Sequence, residues 1–364
     1  MLVSFKGIKI LVTGHTGFKG SWLCELLLEL GANVAGLSLP ITYENKLFSS
    51  LDLEHRIQHY TGDVRDSECI DKLISQIRPD IILHLAAQPL VITGYQNPKD
   101  TFTTNINGTL NLLEAVKMVS DRDDNWRCTV VNVTTDKVYE NQEWSYTYRE
   151  NDKLGGHDPY SSSKAANELI AQAYQQSFFH ENSRVNLICA RAGNVIGGGD
   201  FANHRLIPDC IRAYQSGVKL EIRNPLANRP WQHVLDPLWG YIKIAHKSHS
   251  LLTKCEGNYR STKLGSAYNF GPNSNSVKDV YSVIDEVRKY INIKINISDA
   301  HTFHEAQNLS LSYDKAFQDL QWSPQWGFQM SIKKTINWYL KVDNNMKPRD
   351  AVLNDIKNFL ICGL

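Results

Sequence analysis

The feature that most constrains how this chain folds is a glycine turn between two apolar runs. The turn is GHTGFKG, residues 14–20, and it follows a short apolar run at residues 8–12. Residues 21–30 behind it form a leucine-rich run of helical length, which Gly31 closes. A strand, a glycine turn and a helix in this order predict a dinucleotide-binding unit, whose phosphates lie at the helix N-terminus. An ordinary strand-to-helix turn is the weaker interpretation, because the glycine pattern stands between a run that fits a strand and a run that fits a helix.

The three glycines of the turn have separate predicted roles. Gly14 permits the tight turn, Gly17 lets the backbone approach a pyrophosphate, and Gly20 lets helix and strand pack closely. Their spacing is GxxGxxG rather than GxGxxG, which points to the short-chain dehydrogenase/reductase superfamily. Within the turn, the predicted cofactor-binding residues are Gly14, Thr16, Gly17, Phe18, Lys19 and Gly20.

The composition excludes several classes of protein. Of the 364 residues 42% are hydrophobic and 21% charged, and the net charge of +1 gives no support to a nucleic-acid or polybasic membrane surface. The seven cysteines include no CxxC pair, so we predict neither a metal site nor a disulfide framework. Reduced thiols, no recognisable signal peptide and no apolar run of about 18 residues predict a cytoplasmic protein.

The first half of the chain alternates between predicted strands and helices. After the first strand come predicted strands at residues 33–39, 57–61, 80–85, 127–133 and 185–190, and predicted helices at 67–77, 99–119 and 160–180. This alternation predicts an α/β fold, a Rossmann-type doubly wound parallel sheet, whose ligands bind at the carboxyl ends of the strands. The glycine turn, Ala86, Ala87 and the threonines at 134 and 135 all follow such strands. We therefore expect them to line one crevice.

We expect two interleaved lobes. Residues 1–193 form the dinucleotide-binding Rossmann domain, to which elements near 234–245 and 267–271 return. Residues 194–364 form mainly a smaller, mixed α/β substrate-binding lobe.

The second predicted strand lacks the acid that often binds the adenosine ribose at its end. Ser38 holds that place, and no Asp or Glu stands beside it. From the residues alone, NAD and NADP both remain open, and Lys19 could favour the extra phosphate of NADP. Asp63 is well placed to accept a hydrogen bond from the adenine amino group, whereas Asp66 or Ser67 caps the next helix.

Other predicted cofactor residues follow the fourth strand. Ala86 and Ala87 let the backbone and a flat cofactor meet closely, and His84 before them is interpreted as a structural histidine. Besides the turn, Ser38 and Asp63, the predicted cofactor site contains Val64, Leu85, Ala86, Ala87, Gln88, Asn105, Tyr160 and Lys164.

Tyr160 and Lys164 give the sharpest indication of chemistry, because residues four apart share one face of a helix. A free phenol has a pKa near ~10, too high for a base at neutral pH, and a nearby cation lowers it. Thr135 can hold the substrate oxygen. The three residues could then remove the proton of an alcohol while its carbon loses hydride to a nicotinamide. A YxxxK pattern alone usually means nothing and gains weight only downstream of a dinucleotide-binding unit.

Seven stretches, in both halves of the chain, carry a resemblance to a known family: VTGHTGFKGSWL at 12–23, HLAAQPLV at 84–91, TTDKVYENQEW at 134–144, GGHDPYSSSKAANEL at 155–169, ARAGNVIGGGD at 190–200, IRNPLANRPWQHVLDP at 222–237 and YNFGP at 268–272. They resemble the extended short-chain dehydrogenase/reductases, specifically the nucleotide-sugar 4,6-dehydratases, and look most like the branch that acts on CDP-glucose. The resemblance implies an NAD-dependent lyase that makes CDP-4-dehydro-6-deoxyglucose, a step toward the deoxyhexoses of surface polysaccharide such as lipopolysaccharide O-antigen.

The resemblance also implies a division of labour in one site. Tyr160 is the base for oxidation at carbon 4, with Lys164 as electrostatic support and Thr135 as hydrogen-bond partner. Elimination then needs a base for the carbon-5 proton and an acid for the carbon-6 hydroxyl, and we assign Asp136 as the acid. Lys137 stands where the dTDP-sugar dehydratases carry Glu, and either removes the carbon-5 proton or stabilises the enolate.

The second half of the chain supplies the predicted substrate pocket. Asn194 could hydrogen-bond a diphosphate oxygen, Arg229 could pair with a phosphate, and Leu206 begins a helix that walls the sugar site. For Arg223 a solvated role and a binding role are about equally expected. The predicted substrate-binding residues are Gln88, Thr135, Asn194, Arg205, Leu206, Arg223, Arg229 and His233.

Two other functions compete with the dehydratase. A nucleotide-sugar 4-epimerase would keep the Tyr160 and Lys164 pair, but it needs no acid at carbon 6, so Asp136 and Lys137 argue against it. A dehydratase for another nucleotide-hexose stays open within the family. A non-catalytic dinucleotide-binding regulator could dispense with the tyrosine and lysine, and both are present.

The resemblance implies a homodimer or higher homo-oligomer, in which the helices at 99–119 and 160–180 pair with those of a partner subunit. The residues that prompt this expectation are Phe102, Ile106, Leu110, Leu113, Leu169, Ala173 and Phe178. The alternative is that these side chains all face their own sheet.

Overall fold

Seven parallel strands form the central sheet of the protein. Its computed structural model describes residues 3–42, 45–180, 184–222, 224–254, 264–297 and 308–362, and the statements below concern these residues. Arg223, one of the predicted substrate residues, lies outside them.

The strands alternate with helices along the first half of the chain, as the sequence predicts. In chain order the strands are β1 Lys9–Thr13, β2 Asn33–Ser38, β3 Gln58–Thr61, β4 Ile81–His84, β5 Cys128–Val133, β6 Val185–Ala192, β7 Val195–Ile196, β8 Leu220–Ile222, β9 Asn228–Pro230, β10 Gln232–His233, β11 Ala267–Phe270, β12 Val277–Asp279 and β13 Ile295–Ile297. The large sheet has the order β11-β6-β5-β4-β1-β2-β3, and its neighbours all run parallel. The predicted doubly wound sheet is therefore confirmed, with the change of direction between β1 and β4.

The helices cover both faces of this sheet. They are α1 Phe18–Glu29, α2 Lys46–Ser50, α3 Ser67–Ile77, α4 Val91–Gln96, α5 Pro98–Phe102, α6 Gly108–Arg122, α7 Pro159–Ser177, α8 Leu206–Ser216, α9 Leu235–Lys254, α10 Val280–Arg288, α11 Asp314–Leu320, α12 Phe328–Asp343 and α13 Pro348–Cys362. The bounds of α3 match the prediction, and the Asp66 carboxylate caps it by accepting from the backbone N–H of Cys69. No helix of the described residues is long and apolar enough to cross a membrane.

Alternate residues of each strand belong to two separate cores, because successive side chains of a strand point to opposite faces. Leu11 and Ile82 pack with α3, α6 and α7 on one face. Val12 and Leu83 pack with α1, α9 and the C-terminal helices on the other. This two-sided burial explains why the inner strands are continuous apolar runs in the sequence.

The helix predicted at 99–119 consists of three pieces. A wide, π-type turn at Thr103–Asn107 separates α5 from α6. On this unit and α7, Phe102, Leu110, Leu169 and Phe178 are exposed. Leu113 is fully buried against the sheet, so its predicted contact with a partner subunit is wrong.

The C-terminal helix α13 returns to the N-terminal half of the chain. Its Arg349 bonds the buried carboxylate of Glu25 in α1, which also receives two bonds from Arg56. Glu25 has no solvent-exposed surface, so this ion-pair cluster fixes the end of the chain against the helix that starts at the glycine turn.

Candidate active site

The carboxyl ends of the central strands open into one large cavity of about 1350 Å³. Almost all predicted site residues line it: Gly14, Thr16, Gly17, Phe18, Lys19, Gly20, Ser38, Asp63, Val64, Leu85, Ala86, Ala87, Gln88, Thr135, Asp136, Lys137, Tyr160, Lys164, Asn194, Arg205, Leu206 and Arg229. Asn105 and His233 are not among the lining residues. The crevice expected from the strand ends is therefore present.

The glycine turn forms a cradle that side chains would fill. Gly14 has φ +72°, and a Cβ there would lie 2.8 Å from the backbone nitrogen of Ala86. A Cβ on Gly20 would lie 2.3 Å from the carbonyl oxygen of Gly14, so backbone and helix meet too closely for any side chain. Helix α1 starts directly after Gly17, and its first N–H groups face the cavity edge that this turn lines. The geometry fits the pyrophosphate of a dinucleotide.

The end of the cavity beside β2 and β3, where the sequence predicts the adenosine, carries hydroxyl groups and a paired acid. The Ser38 and Thr16 hydroxyl oxygens lie 2.7 Å apart. The Asp63 carboxylate accepts from the guanidinium of Arg65 at 2.6 Å, and this bond lowers the pKa of Asp63. Arg65 also bonds Asp100 at 2.5 Å. Asp63 is thus an ionised acceptor beside the cavity, already shared with one arginine.

Asn105 supports the cavity wall from behind, which corrects its predicted role as a direct cofactor contact. It lies within the wide turn of the α5–α6 unit and is 1% exposed. Its side-chain oxygen accepts from the backbone N–H of Gln88 at 2.8 Å, and its side-chain nitrogen donates to Ser163 at 2.8 Å. Asn105 therefore joins the loop after β4 to the catalytic helix α7.

His84 has the structural role expected of it. One ring nitrogen pairs with the Thr13 hydroxyl at 2.7 Å and the other with Thr109 at 3.1 Å. Burial lowers the pKa of His84 to about 3. A neutral ring with both nitrogens bonded has no capacity left for proton transfer to a ligand.

Tyr160 and Lys164 lie in the first turns of α7, where the Asp158 carboxylate caps the helix. Burial raises the pKa of Tyr160 to about 12, while a hydrogen bond with Thr135 and the charge of Arg205 act in the opposite direction. Burial lowers the pKa of Lys164 to about 8, and its ammonium donates to the carbonyl oxygen of Val133 at 3.3 Å. The tyrosine, threonine and lysine predicted to act together lie in one place.

Asp136 is a buried acid on the cavity wall. It is 1% exposed, and burial raises its pKa even though Lys137, Thr135 and Arg229 favour the charged form. One carboxylate oxygen accepts from the Thr135 hydroxyl at 2.9 Å, and the other has no hydrogen-bond partner among the described residues. A Cβ on Gly193 would lie 2.9 Å from that second oxygen, so only glycine leaves room for it. Such a carboxyl group can hold a proton and has an oxygen available for a substrate.

Lys19 interacts electrostatically with Arg205 and Asp136, which the sequence does not indicate. Burial, followed by the charge of Arg205, lowers the pKa of Lys19 to about 8, and Asp136 acts against that shift. A lysine predicted to meet a cofactor phosphate is therefore also an electrostatic neighbour of the acid. The sequence does place Lys19 in the first turn of α1, at the carboxyl ends of the strands, and this position could have indicated that it lies near Asp136.

The predicted substrate residues divide into two groups. Arg205 lies before α8 and pairs with Asp200 at 2.8 Å, and Arg229 of β9 is 8% exposed, both on the cavity wall with Asn194. His233 is fully buried between the rings of Trp22 and Trp326, at centroid distances of 5.7 and 4.7 Å.

His233 is therefore a packing residue, and its predicted contact with the substrate is wrong. Burial lowers its pKa to about 3, which keeps the ring neutral.

Residues that the sequence analysis assigns to no site also line the cavity. The loop that carries Gln142 and Glu143 forms part of the rim, and Trp231 and Leu309 come from the second half of the chain. The Tyr148 hydroxyl accepts from the backbone N–H of Gln142 at 2.7 Å and so fixes this rim. Gln142, Glu143 and Trp231 lie within stretches that carry the family resemblance, but their place on the cavity wall depends on contacts between distant segments.

Comparisons with known proteins agree with this geometry. The family model described as GDP-mannose 4,6 dehydratase matches residues 11–335. The CDP-glucose 4,6-dehydratase of Salmonella typhimurium is 42% identical over 341 residues, which cover 92% of this chain and 91% of that protein. The dTDP-glucose 4,6-dehydratase of Xanthomonas campestris is 26% identical over 348 residues, 91% of this chain and 92% of that protein.

Solved structures share the fold. The dTDP-glucose 4,6-dehydratase of Bacillus anthracis, in complex with NAD, superimposes with a TM-score of 0.75 at 24% identity, covering 94% of this chain and all (100%) of that one. The UDP-glucose 4-epimerase of Thermotoga maritima, with UDP-glucose, gives a TM-score of 0.73 at 20% identity, covering 92% of this chain and 99% of that one.

Proposed function

The chain belongs to the GDP-mannose 4,6 dehydratase family, and we propose that within it the protein is a CDP-glucose 4,6-dehydratase. It converts CDP-glucose to CDP-4-dehydro-6-deoxyglucose and water. The observation that carries the proposal is Asp136, a buried acid with a raised pKa and one unbonded oxygen beside Thr135. Its position in a chain 42% identical to a CDP-glucose 4,6-dehydratase supports the choice of substrate.

The enzyme is an NAD-dependent hydro-lyase. NAD, when bound, would supply the hydride acceptor for carbon 4 of the sugar and the hydride donor for carbon 6. The glycine turn and the N-terminus of α1 hold its pyrophosphate, because free backbone N–H groups and the helix dipole favour that charge. Ser38 and Asp63 lie at the adenosine end.

Tyr160 removes the proton of the carbon-4 hydroxyl. With a pKa of about 12 in the ligand-free protein, the phenol needs cationic help. The charge of Arg205 already acts in that direction, and Lys164, which lines the same cavity one helical turn away, supplies a second cation. Thr135 holds the same substrate oxygen through its hydroxyl group. Tyr160, Thr135 and Lys164 are each less than 10% exposed, and burial strengthens these electrostatic contacts.

Asp136 and Lys137 carry out the elimination. Burial raises the pKa of Asp136, so the carboxyl group retains a proton that it donates to the departing carbon-6 hydroxyl. Lys137 lies on the cavity wall beside it and either removes the carbon-5 proton or stabilises the enolate.

Arg229, Arg205 and Asn194 bind the diphosphate of the substrate. All three line the half of the cavity formed by the second part of the chain. Guanidinium groups suit phosphate oxygens through paired, charge-assisted hydrogen bonds. This arrangement supports the proposed division of the chain, in which residues 1–193, with returning elements near 234–245 and 267–271, hold the cofactor and residues 194–364 mainly the substrate.

A nucleotide-sugar 4-epimerase is the second candidate, since a UDP-glucose 4-epimerase shares the fold. An epimerase returns the hydride to carbon 4 and expels no hydroxyl group from its substrate. A protonated acid near carbon 6 would therefore take no part in its reaction. We also propose a cytoplasmic homodimer formed through α7 and the α5–α6 unit, on which Phe102, Leu110, Leu169 and Phe178 are exposed.

A substrate panel tests the proposed function. The purified protein is incubated with NAD and, in separate reactions, with CDP-, dTDP-, UDP- and GDP-glucose. We expect the base-labile 4-keto chromophore from CDP-glucose, with mass spectrometry reporting the loss of one water. Conversion of CDP-glucose to its 4-epimer without loss of water would favour the epimerase, and 4-keto product from another nucleotide alone would reassign the base.

A further inference from the structure

A buried ion pair lies directly behind the catalytic residues. Glu168 is on α7, one turn after Lys164, and Arg191 is on β6. Both side chains are 1% exposed, and the closest approach of guanidinium and carboxylate is 2.5 Å. Neither side chain lines the cavity, so neither touches a ligand there.

The Glu168 carboxylate connects three elements of the site. It accepts a hydrogen bond of 2.5 Å from the hydroxyl of Thr134, the residue before Thr135 at the end of β5. It also accepts two bonds of 2.9 Å from one nitrogen of Arg191. The α7 backbone, the strand end that presents Thr135 and strand β6 are thus fixed to one carboxylate.

Arg191 extends this connection to the rim of the cavity. Its guanidinium donates to the Tyr139 hydroxyl at 2.6 Å and lies 4.9 Å from the centroid of the same ring. Tyr139 stacks on Tyr148, whose hydroxyl fixes the rim at Gln142. One chain of contacts therefore runs from the catalytic helix to the cavity mouth.

A buried ion pair is weak evidence for stability, because apolar residues of similar volume often stabilise a core as well or better. The placement of this pair has to be explained by something else, and its partner Thr134 directly precedes Thr135 of the catalytic centre. We propose that Glu168 is a positioning residue, which holds Thr134 and Thr135 against α7 and keeps the Lys164 ammonium charged. The inference rests on the proposed dehydratase reaction, since that reaction needs a charged Lys164.

Electrostatics supply a second consequence of the Glu168 charge. Burial lowers the pKa of Lys164 to about 8, and Glu168 is the strongest influence in the opposite direction. Lys164 supports the phenolate of Tyr160 only in its protonated form, so activity falls as pH rises through the Lys164 pKa. Removing the charge of Glu168 lowers that pKa further, and the fall in activity then begins at lower pH.

The test compares kcat and KM for CDP-glucose from pH 6 to pH 10 in the NAD-loaded protein. Glu168→Gln keeps the size of the side chain and removes its charge. We expect the alkaline limb of the kcat profile to move down by about one to three pH units, the range typical for loss of a neighbouring opposite charge, with little change in KM. Glu168→Asp, which keeps the charge, should leave that limb near its wild-type position even where kcat is lower.

Glu25→Gln is the matched control. Glu25 is another fully buried carboxylate bonded by arginines, on α1 and outside the cavity lining. This variant should lose stability without moving the pH profile. A Glu168→Gln profile that coincides with those of the wild type and Glu25→Gln would overturn the inference.

Thr134→Val tests the positioning role of Glu168 independently, and it does so even where Glu168→Gln does not fold. It removes the hydroxyl donor and leaves the Glu168–Arg191 pair intact, so we expect kcat to fall about tenfold with unchanged KM, a loss of the size of one buried hydrogen bond. Wild-type kcat in Thr134→Val would count against positioning. Failure of the wild-type protein itself to convert CDP-glucose would refute the proposed function, which is a different outcome.

Discussion

Burial raises the pKa of both Tyr160 and Asp136, and the two shifts serve opposite tasks. For a base such as Tyr160 a pKa of about 12 is a cost, which nearby cations have to offset. For an acid such as Asp136 a raised pKa is an advantage, because the proton to be donated is retained at neutral pH. Burial in one cavity thus stabilises the protonated form of Asp136. It also makes the deprotonation of Tyr160 depend on the cations Lys164 and Arg205.

Tyr160→Phe should abolish turnover of CDP-glucose while leaving NAD affinity close to that of the wild type, because the ring stays and only the hydroxyl is removed. Product formation and calorimetric titration with NAD measure the two effects. Tyr241→Phe is the control: this buried tyrosine of α9 lies outside the cavity lining, and its hydroxyl has no partner among the described residues. Near-normal turnover of Tyr160→Phe would refute the role of the base.

Asp136→Asn should separate oxidation from elimination. Asn cannot donate a transferable proton, so formation of the 4-keto-6-deoxy product should slow by roughly 10²–10⁴-fold, the usual contribution of a positioned acid. Thr135, Tyr160 and Lys164 remain, so carbon 4 should still be oxidised. Quenching with borodeuteride should then yield sugar labelled at carbon 4 that retains its carbon-6 hydroxyl. Wild-type product formation by Asp136→Asn would move the acid to another residue.

At the scale of elements, the glycine turn and α1 act as one unit. The sheet and the cavity edge could be predicted because β1, the turn and α1 are contiguous in sequence, and so are α3 and its cap Asp66. The same holds for Tyr160 and Lys164, whose spacing alone places them on one face of α7.

Contacts between segments that are distant in sequence could not be predicted in this way. The sequence predicts His233 as a substrate-binding residue, yet packing against Trp22 and Trp326 buries it. Asn105 was expected at the cofactor, and the wide turn in the α5–α6 unit instead directs it to Gln88 and Ser163. Neither tertiary packing nor a π-type turn has a local sequence signature here.

Gly20→Ala tests the unit of turn and helix. The new methyl group would lie 2.3 Å from the carbonyl oxygen of Gly14, so α1 has to move away from the cavity edge. We expect a loss of about 1–3 kcal/mol in the free energy of unfolding, the usual cost of overpacking, and weaker NAD binding. Urea denaturation and calorimetry measure these changes. In the control Gly327→Ala the methyl group meets nothing within 4 Å, so both quantities should stay close to the wild type.

At the scale of the whole molecule, α7 serves two surfaces. Its buried side presents Tyr160 and Lys164 to the site and places Glu168 behind them, and its outer side exposes Leu169 at 55% and Phe178 at 46%. If this outer side is the dimer interface, the catalytic helix is stabilised from both directions. Subunit association would then also influence the geometry of the cavity.

Leu169→Glu should convert a dimer into a monomer, because it places a charge within an apolar interface. Light scattering at micromolar concentration measures the mass of wild type and variant. Ile361→Glu is the control, since Ile361 is 69% exposed on α13, away from this surface. A monomeric wild type, or a Leu169→Glu variant that keeps the mass of a dimer, would contradict the proposed interface.

The place of β11 in the central sheet has a consequence for synthesis on the ribosome. This strand covers the outer side of β6, yet it is encoded after residues 193–266. At about 5–20 residues per second, the ribosome needs about 4 to 15 s to make them, and β6 keeps an unpaired edge for that time. Such an edge is a template for joining the strands of other nascent chains. The enzyme should therefore depend on chaperones, or on slow expression, to reach full yield.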